Sequence, residues 1–241
     1  MIDLGLVLGG FLAGVINALA GGGSTITLPL LLLFGVDAGV ANGTNRIAVL
    51  CQSVSATRSF AANDSIDWSV TWRLLPIVLG SAMVGSHFAT QIPVAQLESV
   101  FGWMFILLGS LFLFKSKISL GRSRVMLVRF RVVLLMGVGF YGGLLQAGVG
   151  IPLLMTLLSL YGMDFGKANG TKSVHIAIYS LAVLFVFGSA DQVHLRFGAE
   201  LGLGGILGSH VGAKIAMRHQ PQWLTPVLSC FLFVMGVKSL L

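Results

Sequence analysis

Apolar stretches alternate with short polar interruptions along the whole chain. Runs of about 20 mostly apolar residues, the length that a membrane-spanning helix needs, occupy 2–20, 42–62, 70–90, 97–114, 130–147, 171–188, 196–216 and 223–241. Two further apolar runs, Ile26 to Val36 and Ile151 to Gly162, are shorter. At about 1.5 Å per residue, each covers little more than half of a hydrocarbon core of about 30 Å. Each short run follows a glycine-rich interruption, Gly21-Gly22-Gly23-Ser24 in one case and Gly148-Val149-Gly150 in the other. Pro29 and Pro152 are expected in the first turn of each short helix, where a missing N–H costs nothing. The pattern predicts the unit helix, break, short helix, twice over.

The two units belong to a longer repeat. Gly10-Phe11-Leu12-Ala13-Gly14 resembles Gly139-Phe140-Tyr141-Gly142-Gly143, and Asn17-Ala18 aligns with Gln146-Ala147. Ala41-Asn42-Gly43-Thr44 is identical to Ala168-Asn169-Gly170-Thr171, and Gly85-Ser86-His87 to Gly208-Ser209-His210. The order is conserved between the halves. The expected organisation is an N-terminal repeat over 1–114, a basic linker over 115–129 and a C-terminal repeat over 130–241, with five segments per repeat.

Charge orients these halves. Lys115, Lys117, Arg122, Arg124, Arg129 and Arg131 follow one another with no acid between them, and such clusters mark cytoplasmic loops. The loop near residue 93 carries no Lys or Arg, whereas its counterpart carries Lys214 and Arg218. Asp37 precedes the first Asn-Gly-Thr and Lys167 the second. Equivalent loops carry opposite signals, so the repeats are expected to be inverted, with both termini outside. The fold class expected is an all-α polytopic membrane protein with glycine-broken, partly short or re-entrant helices. Crossing and re-entry of the short helices have the same parity.

Composition agrees. The 241 residues are 56% hydrophobic and 10% charged, with a mean hydropathy of +0.93, against about 25% charged residues in soluble domains. That argues against a soluble enzyme, a disordered chain and a nucleic-acid-binding domain, and moves the net charge of +7 from nucleic acid to membrane topology. The 32 glycines suit close helix packing and broken helices. Cys51 and Cys230 lie in apolar runs and have no metal spacing. A signal peptide is not expected, because Asp3 stands where a basic region would be.

The glycine-rich motif of Gly14, Asn17, Gly21, Gly22, Gly23 and Pro29, the run Asn42-Gly43-Thr44-Asn45-Arg46 and its echo in the second half resemble the TauE/SafE sulfite-exporter-like family over nearly the whole chain. The resemblance implies a bacterial inner-membrane carrier of small anions, sulfite and sulfoacetate among them. The second half departs from the pattern in having Gln146-Ala147-Gly148-Val149-Gly150 where a triple glycine would stand.

A small anion needs donors and positive potential away from water. Helix N-termini offer both, so the breaks are expected to cradle it, with Gly22, Gly23, Ser24, Thr25 and Asn17 in one half and Gln146 and Gly148 in the other. The competing reading is helix packing and a tight turn. Asn45, Gln52 and Ser59 recur every seven residues, and Lys172, His175 and Tyr179 share another helix face. Under the Asn-Gly-Thr alignment Asn45 maps to Lys172 and Gln52 to Tyr179. Asn42, Thr44, Asn169 and Thr171 complete the candidate substrate-binding set. Arg46 and Lys172 are the candidates for direct charge on the anion; as both are expected in the first turn of a helix, snorkelling to the interface competes. His175 is the proton-coupling candidate, because a histidine changes charge near neutral pH and every acid falls near the end of a predicted span. Interhelical glue competes with a polar pathway throughout.

These features predict a secondary transporter working by alternating access. A passive small-anion channel and a carrier of non-sulfur carboxylates are the alternatives. No Walker, His-Glu-xx-His or Gly-x-Ser-x-Gly motif is present, which argues against an enzyme. Neither cofactor nor metal is expected. The expected partners are the small anion and the bilayer, and the Gly-xxx-Gly spacings suit either internal packing or a homodimer contact.

Overall fold

The computed structural model describes residues 2–114 and 130–218, with 233, 234 and 237. The basic linker over 115–129, and the span expected over 223–241 apart from those three residues, lie outside the described residues. Among the described residues all regular structure is helical: α1 (Leu4–Ala20), α2 (Ser24–Leu33), α3 (Ala38–Ala61), α4 (Trp68–Ala89), α5 (Val94–Phe114), α6 (Arg131–Leu144), α7 (Gly150–Leu160), α8 (Phe165–Ser189) and α9 (Leu195–Arg218).

Local chemistry sets the boundaries. Asp3, Asp67 and Asp164 cap α1, α4 and α8 by accepting from Gly5, Val70 and Lys167 N–H at 2.9, 3.1 and 2.9 Å, as short acidic side chains do at helix starts. At the other end of α1, Gly21 takes a left-handed φ of 81° and donates to the Asn17 and Ile16 carbonyls, the glycine C-cap arrangement. The end of α6 is less conventional. Gln146, not a glycine, takes φ 60°, and the chain unwinds from Leu145 to Val149.

Each short helix turns back along its predecessor. Leu30 of α2 lies against Gly9 of α1, and the Phe34 ring lies near Gly5. The Arg131 guanidinium at the start of α6 sits 5.5 Å from the Tyr161 ring centre at the end of α7. Both units are therefore helical hairpins with their glycine-rich breaks at the tips. The two long helices α3 and α8 run antiparallel: the α3 start meets the α8 exit through the His194 N–H on Thr44 Oγ1 at 2.8 Å, while the α8 start packs Gly170 against the Ser65 carbonyl beyond α3. Packing between the halves is reciprocal, α1 lying along α9 and α6 along α4. Two apolar clusters flank the polar centre. One includes Leu28, Phe60 and Phe101, the other Val78, Leu153 and Phe187.

These directions sort the charges into two ends. Arg58, Arg73, Arg131, Lys167 and Lys214 share one end with Asp64, Asp67 and Asp164; Asp3, Asp37, Asp191 and Glu200 share the other with Arg196. Polarity is inside out. Leu8, Val54, Trp103, Phe185 and Leu207 are exposed, while Arg46, Lys172, Asn45, Gln52 and His175 are buried.

Several expected boundaries change. The helices expected from 42 and 171 begin at Ala38 and Phe165, because the glycines of both Asn-Gly-Thr runs are helical and act as close-packing points. A Cβ on Gly43 would lie 1.9 Å from the Gln192 carbonyl oxygen. The segment expected over 130–147 is helical only to Leu144, since the Gln146 conformation ends it. Pro29 is the sixth residue of α2 and not in its first turn, so it removes the bond to the Thr25 carbonyl. By length and composition together, α8 alone among the described residues qualifies as a spanning helix, against seven expected within them. α3, α4 and α9 are 24, 22 and 24 residues long, but polar side chains dilute their apolar character.

Candidate functional site

The two hairpin tips touch. Gly150 N–H donates to the Gly21 carbonyl at 3.0 Å, and a Cβ on Gly150 would lie 2.3 Å from Gly21 Cα. Ser24 ties the same crossing: its hydroxyl donates to the Gln146 carbonyl at 2.9 Å and accepts from Gly148 N–H at 3.0 Å. Only backbones without side chains pass this closely. The position expected for the anion, directly between these glycines, is occupied in this conformation by the contact between them.

Each long helix then sends a basic residue to the other half's break. Arg46, on α3, is fully buried. Its guanidinium donates to the Gly142 and Gly143 carbonyls of α6 at 2.6 and 2.8 Å, to Asn42 Oδ1 at 2.9 Å and to Gln146 Oε1. Asn42 adds a bond from Nδ2 to the Leu144 carbonyl at 2.8 Å. These are the terminal carbonyls of α6, the negative end of its dipole, where a cation is favoured. The Phe187 ring lies 5.0 Å beneath the guanidinium. Lys172, on α8, does the same for α1 with fewer bonds, donating from Nζ to the Asn17 carbonyl at 3.1 Å and to Asn169 Oδ1 at 2.6 Å.

Neither cation is in the first turn of its helix: Arg46 is the ninth residue of α3 and Lys172 the eighth of α8. Their heads point inward, so the snorkelling alternative is corrected. Neither is paired with an acid among the described residues. Burying a cation without a counter-charge costs several kcal/mol, offset here in part by carbonyl and amide oxygens.

Other buried polar atoms around the tips have no partner among the described residues: Gln52 Oε1 and Nε2, Asn45 Nδ2, Asn169 Nδ2, Arg46 Nε and the Tyr179 hydroxyl. Gln52 faces Gly23 of the first break, and Tyr179 faces Gly142 beside the second. These two residues are repeat-equivalent. The group is rich in hydrogen-bond donors, and a small oxyanion accepts hydrogen bonds at every oxygen.

The structure thus brings together Asn17, Gly23, Ser24, Asn42, Asn45, Arg46, Gln52, Gln146, Gly148, Asn169, Lys172 and Tyr179. Others of the predicted set face elsewhere. Thr25 bonds back to the Gly22 carbonyl at 2.5 Å, Gly22 packs near Ile16 and Ile151, and Thr171 meets Thr71 at 3.0 Å. Thr44 accepts from His194 N–H, and His175 donates from Nε2 to the Thr71 carbonyl at 2.9 Å. His175 therefore faces α4. Sequence reasoning missed Thr27, which bonds Asn45, and Ser180, which accepts from Gln146 Nε2 at 3.1 Å. Thr27 lies one turn beyond Ser24 and Ser180 is adjacent to Tyr179, and those positions were the available signal.

A family model described as sulfite exporter TauE/SafE matches residues 6–239. Relatives include a "Probable membrane transporter protein" of Haemophilus influenzae, 29% identical over 95% of this chain and 91% of that protein. Another is "Probable membrane transporter protein ORF9" of a Sinorhizobium species, 28% identical over 98% and 91%. A third is "Probable membrane transporter protein YfcA" of Escherichia coli K12, 24% identical over 95% and 86%. No solved structure matches.

Proposed function

The chain belongs to the sulfite exporter TauE/SafE family, and on that premise we propose that this membrane transporter is a secondary carrier of a small sulfur oxyanion or organosulfonate, of the size of sulfite or sulfoacetate. The observation that carries the reading is the reciprocal pair of buried cations, Arg46 and Lys172, each set on the other half's helix break with no acid beside it among the described residues. A site built this way offers an anion positive potential and many donors. It repels a cation.

The antiparallel course of α3 and α8 and the opposed hairpins support two inverted halves, with α1–α2 and α6–α7 as re-entrant hairpins. Transporters of such architecture bind substrate near the midplane at discontinuous helices and work by rocking one unit against the other. In this reading the Gly21–Gly150 contact is the closed state between two open ones. Separation of the tips exposes Gln52, Asn45, Asn169, Tyr179 and the free donors of Arg46 and Lys172 to the anion. The basic end faces the cytoplasm of a bacterial inner membrane, and both termini face the periplasm. His175 carries the proton if transport is proton-linked.

The test is uptake of labelled sulfite and sulfoacetate into proteoliposomes, with and without a pH gradient and with chloride as competitor. Saturable uptake driven by the gradient is expected. Unsaturable downhill flux would make the protein a channel, and no flux of either anion from folded protein would remove the sulfur-anion assignment.

A further inference from the structure

The groove between the C-terminal halves of α3 and α9 lies outside the site described above. It has a volume of about 760 Å³ and is lined by Leu50, Val54, Arg58, Leu207, His210 and Lys214 among others. The helices run parallel here, joined by Ser55 Oγ on the Ile206 carbonyl at 2.7 Å and by Ser59 Oγ against His210 Nδ1 at 3.1 Å. Val54 and Leu207 are 53% and 64% exposed, so the apolar part of the groove is open on its outer side.

Its chemistry is graded along its length. Arg58 and Lys214 stand about one turn from the ends of their helices, exposed and unpaired with any acid among the described residues. Leu50 and Val54 lie deeper along α3. From Arg58 to Leu50 the helix rises about 12 Å. Trp68 and Trp72, stacked at 6.1 Å and exposed, open α4 at the same end of the bundle and set the depth of the interface, where tryptophan concentrates. Two cations at headgroup depth above an apolar trough match one molecule: a lipid with an anionic headgroup and an alkyl chain. The repeat-equivalent groove between α8 and α4 lacks this character, having Phe185 where Arg58 stands and Gln91 where Lys214 stands.

We propose that this groove binds an anionic phospholipid of the cytoplasmic leaflet, its phosphate on Arg58 and Lys214 and one acyl chain along Leu50, Val54 and Leu207. Basic pockets between membrane helices on that side suit such headgroups. The leaflet rests on the orientation given under the proposed function; the binding itself does not.

The test uses the full chain, purified from vesicles of mixed phosphatidylglycerol and phosphatidylcholine, with retained lipid counted by native mass spectrometry. Wild type is expected to keep phosphatidylglycerol over phosphatidylcholine by at least about tenfold. The double variant R58Q/K214Q is expected to lose that preference while keeping its melting temperature, and Q91A in the equivalent groove is expected to keep the preference. Val54→Trp, which fills the trough and leaves both cations, is expected to displace the lipid; it decides the matter if the double variant fails to fold. Equal retention of the two lipids by wild type, or undiminished preference in either groove variant, overturns the proposal. So does full displacement by millimolar glycerol phosphate, which would make the groove a site for soluble anions. Failure of the transport assay would leave lipid retention unchanged, so the two proposals fail separately.

Discussion

The two helix breaks are built on one plan and secured differently. The second is held by an arginine with four acceptors and an aromatic ring beneath it. The first is held by a lysine with two acceptors. Arginine's rigid fork suits simultaneous bonds to several carbonyls, while lysine is a compact charge with rotatable donors. Three glycines lie in the first break; the second relies on Gln146 at a φ of 60°, a conformation that costs about 1 kcal/mol or more outside glycine. The second break is therefore the fixed member of the pair and the first the adaptable one, so Lys172 is the cation freer to turn away from its break.

The largest effect that tests this contrast is expected from Arg46→Met. It leaves the Gly142 and Gly143 carbonyls and Gln146 Oε1 without their donor, at about 1–3 kcal/mol for each buried group so exposed. Loss of folded protein in detergent, read by size exclusion and thermal melting, is the expected outcome. Near-normal melting would show that Arg46 is not what secures the second break.

Gly150→Ala strikes the crossing itself. The added methyl overlaps Gly21, an overpacking cost of about 1–3 kcal/mol. Folded protein is expected with flux at background, because the closed contact no longer forms. Wild-type flux in this variant would remove the tip contact from the transport cycle.

Lys172→Met is expected to cost stability less than Arg46→Met and to raise the half-saturating anion concentration about tenfold, equivalent to about 1.4 kcal/mol. If melting collapses and the half-saturation of residual transport is unchanged, the lysine is a helix cap and nothing more. The smallest effect is expected at Tyr179→Phe, whose hydroxyl has no partner among the described residues. Its melting should stay within about 0.5 kcal/mol of wild type, with a measurable loss of anion affinity. Unchanged affinity would place Tyr179 in packing alone.

Much of this arrangement was legible in the chain. The short helices, the breaks before them and the residues of the polar centre follow from glycine placement and hydropathy, which are local properties. The start of α3 at Ala38 and of α8 at Phe165 was not legible, because Asn-Gly-Thr reads as a turn until a neighbouring backbone presses against Gly43 and Gly170. Direct capping of one half's helix by the other half's cation was equally hidden, since the acceptors are main-chain carbonyls that leave no mark in the residue type. Parity does not tell a returning short helix from a second crossing; the Leu30–Gly9 and Arg131–Tyr161 contacts show that each short helix folds back along its predecessor. His175 shares a helical stripe with Lys172 and Tyr179, and only the position of α4 turns it toward Thr71.

The 155 residues that separate Lys172 from the Asn17 carbonyl bear on how the protein is made. Synthesis runs from the N-terminus, so α1 and its unwound tip leave the ribosome long before the lysine that completes them exists. Until then the Asn17 carbonyl accepts from the Gly21 N–H alone, and the bond that ties the end of α1 to α8 is missing. The first half must wait in the membrane as an incomplete object, and its assembly ends only when α8 arrives. An arrest of translation after residue 160 is expected to yield a fragment that the cell's membrane proteases remove, whereas release after α8 supplies the lysine that ties α1 in place.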